Sequence, residues 1–372
     1  MGAGFNKWWL LPAGIFISCA MISLNILVFG PSFLPESLAE PVPLAAGVVP
    51  AKTGVDGGDG CSGALSSDYA CHEERYEILV RDSGVEAAFA ELKGEYRENG
   101  FVKSNCHQMT HVIGRAAAEL YGDVPGTYAR GDTFCWSGYY HGAMEAVVAK
   151  IGSERVMAEA GGICAELGGN ERYSFYHYNC AHGLGHGFMS LKANDLFDSL
   201  GACDTLPDAW EADACYGGVF MENVAAGRDD PQNPASEYLD PDRPLYPCTD
   251  VAVRHKDQCY GMQTSYALRA RGNDFVKVFD LCATVEDAFR PTCYQSLGRD
   301  ASGRSDNDAA KIEAACMIGA GFEARSNCVI GAARTFVSYY SDDEEAKALC
   351  LSVKPKLQPA CLTATEEYYA TL

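Results

Sequence analysis

The sequence predicts an all-α fold: a disulfide-stapled helical-repeat solenoid or α/α toroid, preceded by one transmembrane helix. Three observations predict it. Residues 8–30 form an uncharged, mostly apolar run, and 16 of the 17 cysteines recur at near-regular steps through the rest of the chain. The stretches between those cysteines read as short helices that open on Asp, Asn or Ser. Composition narrows the function. The 372 residues carry 29 Lys and Arg against 50 Asp and Glu, a formal charge of −21. Nucleic acid is thereby excluded as a general partner, because phosphate neutralisation needs basic patches that this chain hardly supplies. Adsorption to anionic lipid through a polybasic surface is excluded for the same reason. With 48% hydrophobic residues, the chain is also too apolar for a purely disordered one.

At the N-terminus, Trp8 to Gly30 spans 23 residues without a charge. As a helix the run would measure about 34 Å, enough to cross a bilayer once. Lys7 precedes it and the next basic residue is Lys52. The positive-inside rule then makes residues 1–7 a cytoplasmic tip, 8–30 a signal-anchor and the bulk of the chain extracytoplasmic, periplasmic or extracellular. The competing reading is a cleaved signal segment ending near Ser37-Leu38-Ala39, with the remainder secreted. Cys19 lies inside the apolar run and reads as a small hydrophobe. Residues 31–60, rich in Pro, Gly and small side chains, read as a flexible linker, and 61–372 as one helical-repeat domain.

The cysteine spacing supplies the architecture. Cys71, Cys106, Cys135, Cys180, Cys215, Cys259, Cys293, Cys328 and Cys361 follow one another at steps of 29 to 45 residues, five of them between 33 and 35. A second set, Cys164, Cys203, Cys248, Cys282, Cys316 and Cys350, falls between members of the first. A period near 35 residues is the length of one helix–turn–helix unit. First-set cysteines open segments such as CWSGYYHGAMEAVVAK and CYGGVFMENVAAG, the A helices. Second-set cysteines close segments such as NDFVKVFDLC and DNDAAKIEAAC, whose leading Asp or Asn suits a helix N-cap, the B helices. The pattern gives eight or nine units. With no Cys-x-x-Cys pair, thioredoxin-like, haem-attachment and short-spaced zinc motifs are excluded.

One pairing uses all sixteen cysteines. It joins each B-helix cysteine to the next A helix: Cys164–Cys180, Cys203–Cys215, Cys248–Cys259, Cys282–Cys293, Cys316–Cys328 and Cys350–Cys361, with Cys61–Cys71 and Cys106–Cys135 added. The alternative pairs cysteines within a unit, as in Cys180–Cys203, and strands four at the ends. Two long segments, 165–179 and 226–247, break the repeat and read as inter-helix loops beside the histidine-bearing units, where they form either a rim or plain insertions.

Seven of the eight histidines lie between residues 72 and 186. His107 and His111 are four apart, as are His182 and His186, and His141 stands four before Glu145; that spacing puts each pair on one helical face. His111, His141 and His186 lie five or six residues past the cysteine opening their unit, and Glu222 lies seven past Cys215. If the A helices line one wall, these side chains converge on it. His107, His111, His141, Glu145, His182, His186 and Glu222 are therefore the candidate ligands of one or two divalent transition metals, with Asn223 marginal. Nitrogen and carboxylate donors suit zinc, iron, manganese or copper. Glu145 is the candidate general base or bridging carboxylate, and Arg115 and Tyr140, with Tyr139, the candidate substrate-orienting residues. A single His-x-x-x-His pair is more often a hydrogen-bonded pair than a ligand set; the agreement with the repeat is what raises this one. Gly183, Gly185 and Gly187 count against a helix at 180–190. His72, beside Glu73 and Glu74, reads as a surface feature. No His-Glu-x-x-His, nucleophile elbow, phosphate loop or dinucleotide fingerprint occurs.

The expected function is a membrane-anchored extracytoplasmic metal-binding protein with a His/Glu site, extending to metal-dependent hydrolase or oxidoreductase chemistry, with the membrane and an exported protein as partners. The alternative is a non-catalytic, disulfide-rich helical scaffold for protein–protein interaction.

Overall fold

The computed structural model describes residues 61–168, 174–225, 236–340 and 342–371. These residues contain helices and no strand. α1 (Tyr69–Ser83), α2 (Val85–Glu98), α3 (Gly100–Ser104) and α4 (Cys106–Tyr121) come first. α5 (Val124–Tyr128), α6 (Gly138–Ile151), α7 (Ser153–Ile163), α8 (Ala165–Gly168) and α9 (Phe175–Leu191) follow. Next are α10 (Leu196–Cys203), α11 (Ala209–Ala225), α12 (Val253–Ala270) and α13 (Phe275–Ala283). α14 (Arg290–Arg304), α15 (Ala309–Cys316), α16 (Gly321–Tyr340), α17 (Glu344–Ser352) and α18 (Gln358–Tyr369) end the row.

Helices α1, α4, α6, α9, α11, α12, α14, α16 and α18, most of them long, stand side by side, each packed on the next. The remaining helices connect them. Buried side chains from neighbouring helices, among them Met109, Ile113, Tyr139, Met144, Leu184, Phe188, Phe220, Leu268 and Leu297, form one continuous apolar core.

The turn from a long helix to the next short one repeats. After α9, α12 and α14 the chain enters left-handed φ at Ala193-Asn194, Gly272-Asn273 and Asp306-Asn307. The Asn amide then bonds back five residues, to Met189, Leu268 and Ser302. Asn tolerates that conformation better than most residues, and it closes off the helix. The Asp that follows (Asp195, Asp274 or Asp308) accepts from backbone amides of the next helix and starts it. The Asn-Asp dipeptides in the sequence are these joints.

Adjacent long helices approach through reciprocal glycines. A Cβ on Gly114 would strike the Tyr139 carbonyl, and one on Gly142 the His111 carbonyl. Gly185 and Gly218 are related in the same way across α9 and α11, and Gly298 and Gly331 across α14 and α16. The glycines around His182 and His186 are thus a close-packing device and α9 is helical throughout, contrary to the doubt their number raised.

Eight disulfides run through the fold: Cys61–Cys71, Cys106–Cys135, Cys164–Cys180, Cys203–Cys215, Cys248–Cys259, Cys282–Cys293, Cys316–Cys328 and Cys350–Cys361. Six of them tie the end of a connecting segment to the following long helix. Cys248 departs from the helical pattern, since it closes a run of turns over 244–250. The row also curls back on itself. Lys103 pairs with Asp306 at 2.8 Å, and the Phe134 and Trp136 rings meet Tyr339, each at 6.2 Å between centroids. The inner faces of the early and late helices therefore enclose a shared interior.

Several expectations need correction. Among the described residues no helix is long and apolar enough to cross a membrane. Even the longest, α16, carries Glu323, Arg325 and Arg334. The expected transmembrane helix at 8–30, the tip at 1–7 and the linker at 31–60 lie outside the described residues. Among the described residues the fold is accordingly all-α and disulfide-rich, without a helix that could span a membrane. The signal-anchor, the membrane as a partner, and the single-pass topology with its periplasmic or extracellular bulk are not carried forward. The segment 165–179 is not a plain loop either: it contains α8 and the start of α9. Residues 236–247 form turns that accept two hydrogen bonds from Gln263, at the Pro244 and Tyr246 carbonyls.

Candidate metal centre

Four consecutive long helices build the centre. α4 contributes His107 and His111, α6 His141 and Glu145, α9 His182 and His186, and α11 Glu222. Ring centroids are 4.7 Å apart for His107–His111, His141–His182 and His141–His186, and 5.5 Å for His111–His186. Three groups of donors result: His107, His111 and His141; His141, His182 and His186; Glu145, His186 and Glu222. Within each group the ligand atoms lie within 4.8 Å of one another. These clusters are close enough to coordinate a metal ion. All seven sequence candidates fall in one place, and His141 and His186 each belong to two groups.

Hydrogen-bond partners fix the orientation of three imidazoles. His107 Nδ1 lies 2.8 Å from the Cys135 carbonyl, which only accepts, so Nδ1 carries the proton and donates. His111 Nδ1 donates to Glu145 Oε1 at 2.8 Å, and His186 Nδ1 to Glu222 Oε2 at 2.9 Å. Each ring thereby turns the lone pair of Nε2 inward. His107 Nε2 and His111 Nε2 face each other at 3.1 Å. His186 Nε2, His182 Nε2 and His141 Nδ1 are buried without a hydrogen-bond partner. Nitrogen lone pairs gathered in a buried space repel one another unless a cation or proton sits among them. A carboxylate or carbonyl behind each imidazole is the usual support of a metal-bound histidine.

Electrostatics keep the inner rings neutral. Burial, followed by the neighbouring imidazoles, pulls the His141 and His182 pKa values well below the ordinary histidine range. For Glu145, burial works upward, but His111 and Arg115 outweigh it and hold the carboxyl well below the usual carboxylate range. Glu145 is thus an anion with both oxygens engaged, one by His111 and one by Arg115 at 3.2 Å.

The remaining candidates are placed differently. Arg115 bridges Glu145 and Glu73. Tyr140 is buried in an aromatic cluster with Tyr128, Tyr139 and Phe175, away from the imidazoles. Asn223 accepts from Ser236 instead of joining the cluster. His72 is no surface residue: it is fully buried between the Ser66 carbonyl and Glu95. The sequence reading missed the pairs His177–Glu211, at 2.6 Å, and His255–Asp204, at 3.1 Å. A signal for the first was present. His111–Glu145, His186–Glu222 and His177–Glu211 are separated by 34, 36 and 34 residues, one repeat.

Two cavities border the centre. One, of 540 Å³, has His107, His111, His186 and Glu222 in its wall. The other, of 330 Å³, reaches His141 and His182. A broader cleft of 1080 Å³ opens on Glu145 and Glu222. No family model matches this chain, and neither a curated protein nor a solved structure matches it.

Proposed function

We propose that this protein is a non-catalytic, disulfide-stapled helical scaffold that holds a divalent transition metal in its interior. The expected membrane-anchored metal enzyme gives way to this reading, since the anchor is not found among the described residues and both Glu145 oxygens are already engaged. The observation that supports it is the inward convergence of imidazole nitrogens whose outer nitrogens are fixed by Cys135, Glu145 and Glu222. Nitrogen-rich donors without thiolates favour zinc, copper or iron for the inner groups. The cysteines do not compete, because every one among the described residues is in a disulfide. The outer group of Glu145, His186 and Glu222 would take a second ion, such as iron, manganese or zinc, only by giving up the hydrogen bonds that now engage its carboxylates.

Elemental analysis of the purified chain tests this. One or two equivalents of a transition metal should survive dialysis, and His141→Ala should lose at least half of it, because His141 is shared by two groups. Metal-free protein whose melting temperature is unmoved by added zinc, copper, iron or manganese contradicts the reading; a ligand at 1,000 times its dissociation constant should add about 4 kcal/mol.

A further inference from the structure

The 330 Å³ cavity has a second wall that the metal reading leaves unused. Opposite His141 and His182 stand Gln258 of α12, Gln295 and Arg299 of α14, and Arg334 of α16. In a chain of net charge −21, no Asp or Glu among the described residues lines this space. The carboxylates nearest to these groups are occupied. Asp213 accepts from Gln258, and Asp300 accepts from Thr264, Ser265 and Arg299. Arg334 differs from Arg299: among the described residues it has no carboxylate within ion-pair distance. Its Nη1 donates to Gln295 Oε1 at 2.7 Å, its guanidinium carbon lies 5.6 Å from the Tyr368 ring centroid, and its Nε is buried with no hydrogen-bond partner. A half-buried guanidinium without a counter-charge is costly, and its fork geometry matches a carboxylate or phosphate. The rest of the lining mixes uncharged polar side chains, such as Asn179, Thr292 and Ser338, with an apolar and aromatic part formed by Phe175, Tyr178, Met221 and Met262.

From this arrangement we infer that the cavity is a binding site for a small organic oxyanion, a carboxylate or phosphate monoester. Arg334 receives the headgroup, and the apolar body lies against Phe175, Tyr178 and Met262. The volume suits a ligand of one ring. The site does not depend on the metal, since its cation is an arginine.

Calorimetric titration of the full chain, after chelation and again after metal loading, tests the inference with three probes: benzoate, phenyl phosphate and neutral benzamide. At least one anion should bind one-to-one in both preparations, with at least tenfold preference over benzamide and with affinity that falls as salt is added. Arg334→Gln should weaken that binding at least tenfold, and Arg334→Lys, which keeps the charge but loses the fork, at least threefold. Benzoate binding alone identifies a carboxylate site, and phenyl phosphate binding alone a phosphate site. The inference is overturned if neither anion binds, if benzamide binds equally well, if folded Arg334→Gln binds as wild type does, or if binding appears only after metal loading. Should Arg334→Gln fail to fold, the benzamide comparison on the wild-type chain decides alone.

Discussion

His107, His111 and His186 each have one ring nitrogen committed to an oxygen that can only accept. That single fact turns a collection of polar side chains into an oriented donor set. Elsewhere the same residue types do structural work. Asp204 receives Arg254, Tyr216 (2.6 Å) and His255 (3.1 Å) and joins the α10 end to α11 and α12. Burial works against its ionisation, but the bonds from Arg254, Tyr216 and His255 prevail, so its carboxyl sits below the ordinary value of 3.8. A carboxyl lowered by folding stabilises fully above its unfolded pKa, and that contribution disappears as pH falls through the folded value. Asp204→Asn should therefore lower the melting temperature by a few degrees at pH 7. The gap to wild type should narrow as pH drops below about 4. A gap that is constant from pH 7 to pH 3 in thermal melts contradicts this account. The cluster was legible in the sequence because His111, His141, His186 and Glu222 lie five to seven residues past the cysteine of their unit, and His107, Glu145 and His182 each stand four residues from one of them. The one-repeat spacing could have pointed to Glu211 as the partner of His177, but nothing in the sequence pointed to Asp204 as the partner of His255, because that pairing depends on which face each helix turns to its neighbour.

At the scale of the helix, glycine decides how close two neighbours come. In an isolated helix the triplet Gly183, Gly185 and Gly187 is a penalty, and periodicity alone reads it as a break. In the stack the same residues admit the Met144 side chain, the Cys215 carbonyl and the Val148 side chain, which is packing that only tertiary structure reveals. The reciprocal contact at Gly298 and Gly331 lies far in sequence from the histidines and isolates the effect. Gly298→Ala would drive a methyl group into the Cys328 carbonyl, and overpacking of this kind costs about 1–3 kcal/mol. Denaturant unfolding should report that loss, with helicity in the native state unchanged. A variant as stable as wild type shows that the α14–α16 contact can widen freely. The short helices were easier to read, since Asp274 and Asp308 cap α13 and α15 as their positions suggested. The left-handed turn at the Asn before each of these caps was not legible, because a left-handed residue leaves no periodic trace.

For the whole molecule, the repeat and the disulfides act together. Each bond closing 10 to 16 residues along the chain removes unfolded-state entropy worth about 3 kcal/mol in the chain model, and it fastens one unit to the next. The stepping of units was legible from cysteine spacing, and their helical character from the capped segments between the cysteines. The curl that brings Tyr339 against Phe134 and Trp136 was not, because it sums small rotations over many units. That curl sets Arg299 and Arg334 opposite the histidines. The account rests on a metal held by imidazole nitrogen inside this curl. X-ray absorption at the edge of the bound metal measures that directly. A first shell of nitrogen and oxygen at about 2.0–2.1 Å with imidazole back-scattering and no sulfur is the expected result. A shell of sulfur, or of solvent oxygen without imidazole, contradicts it.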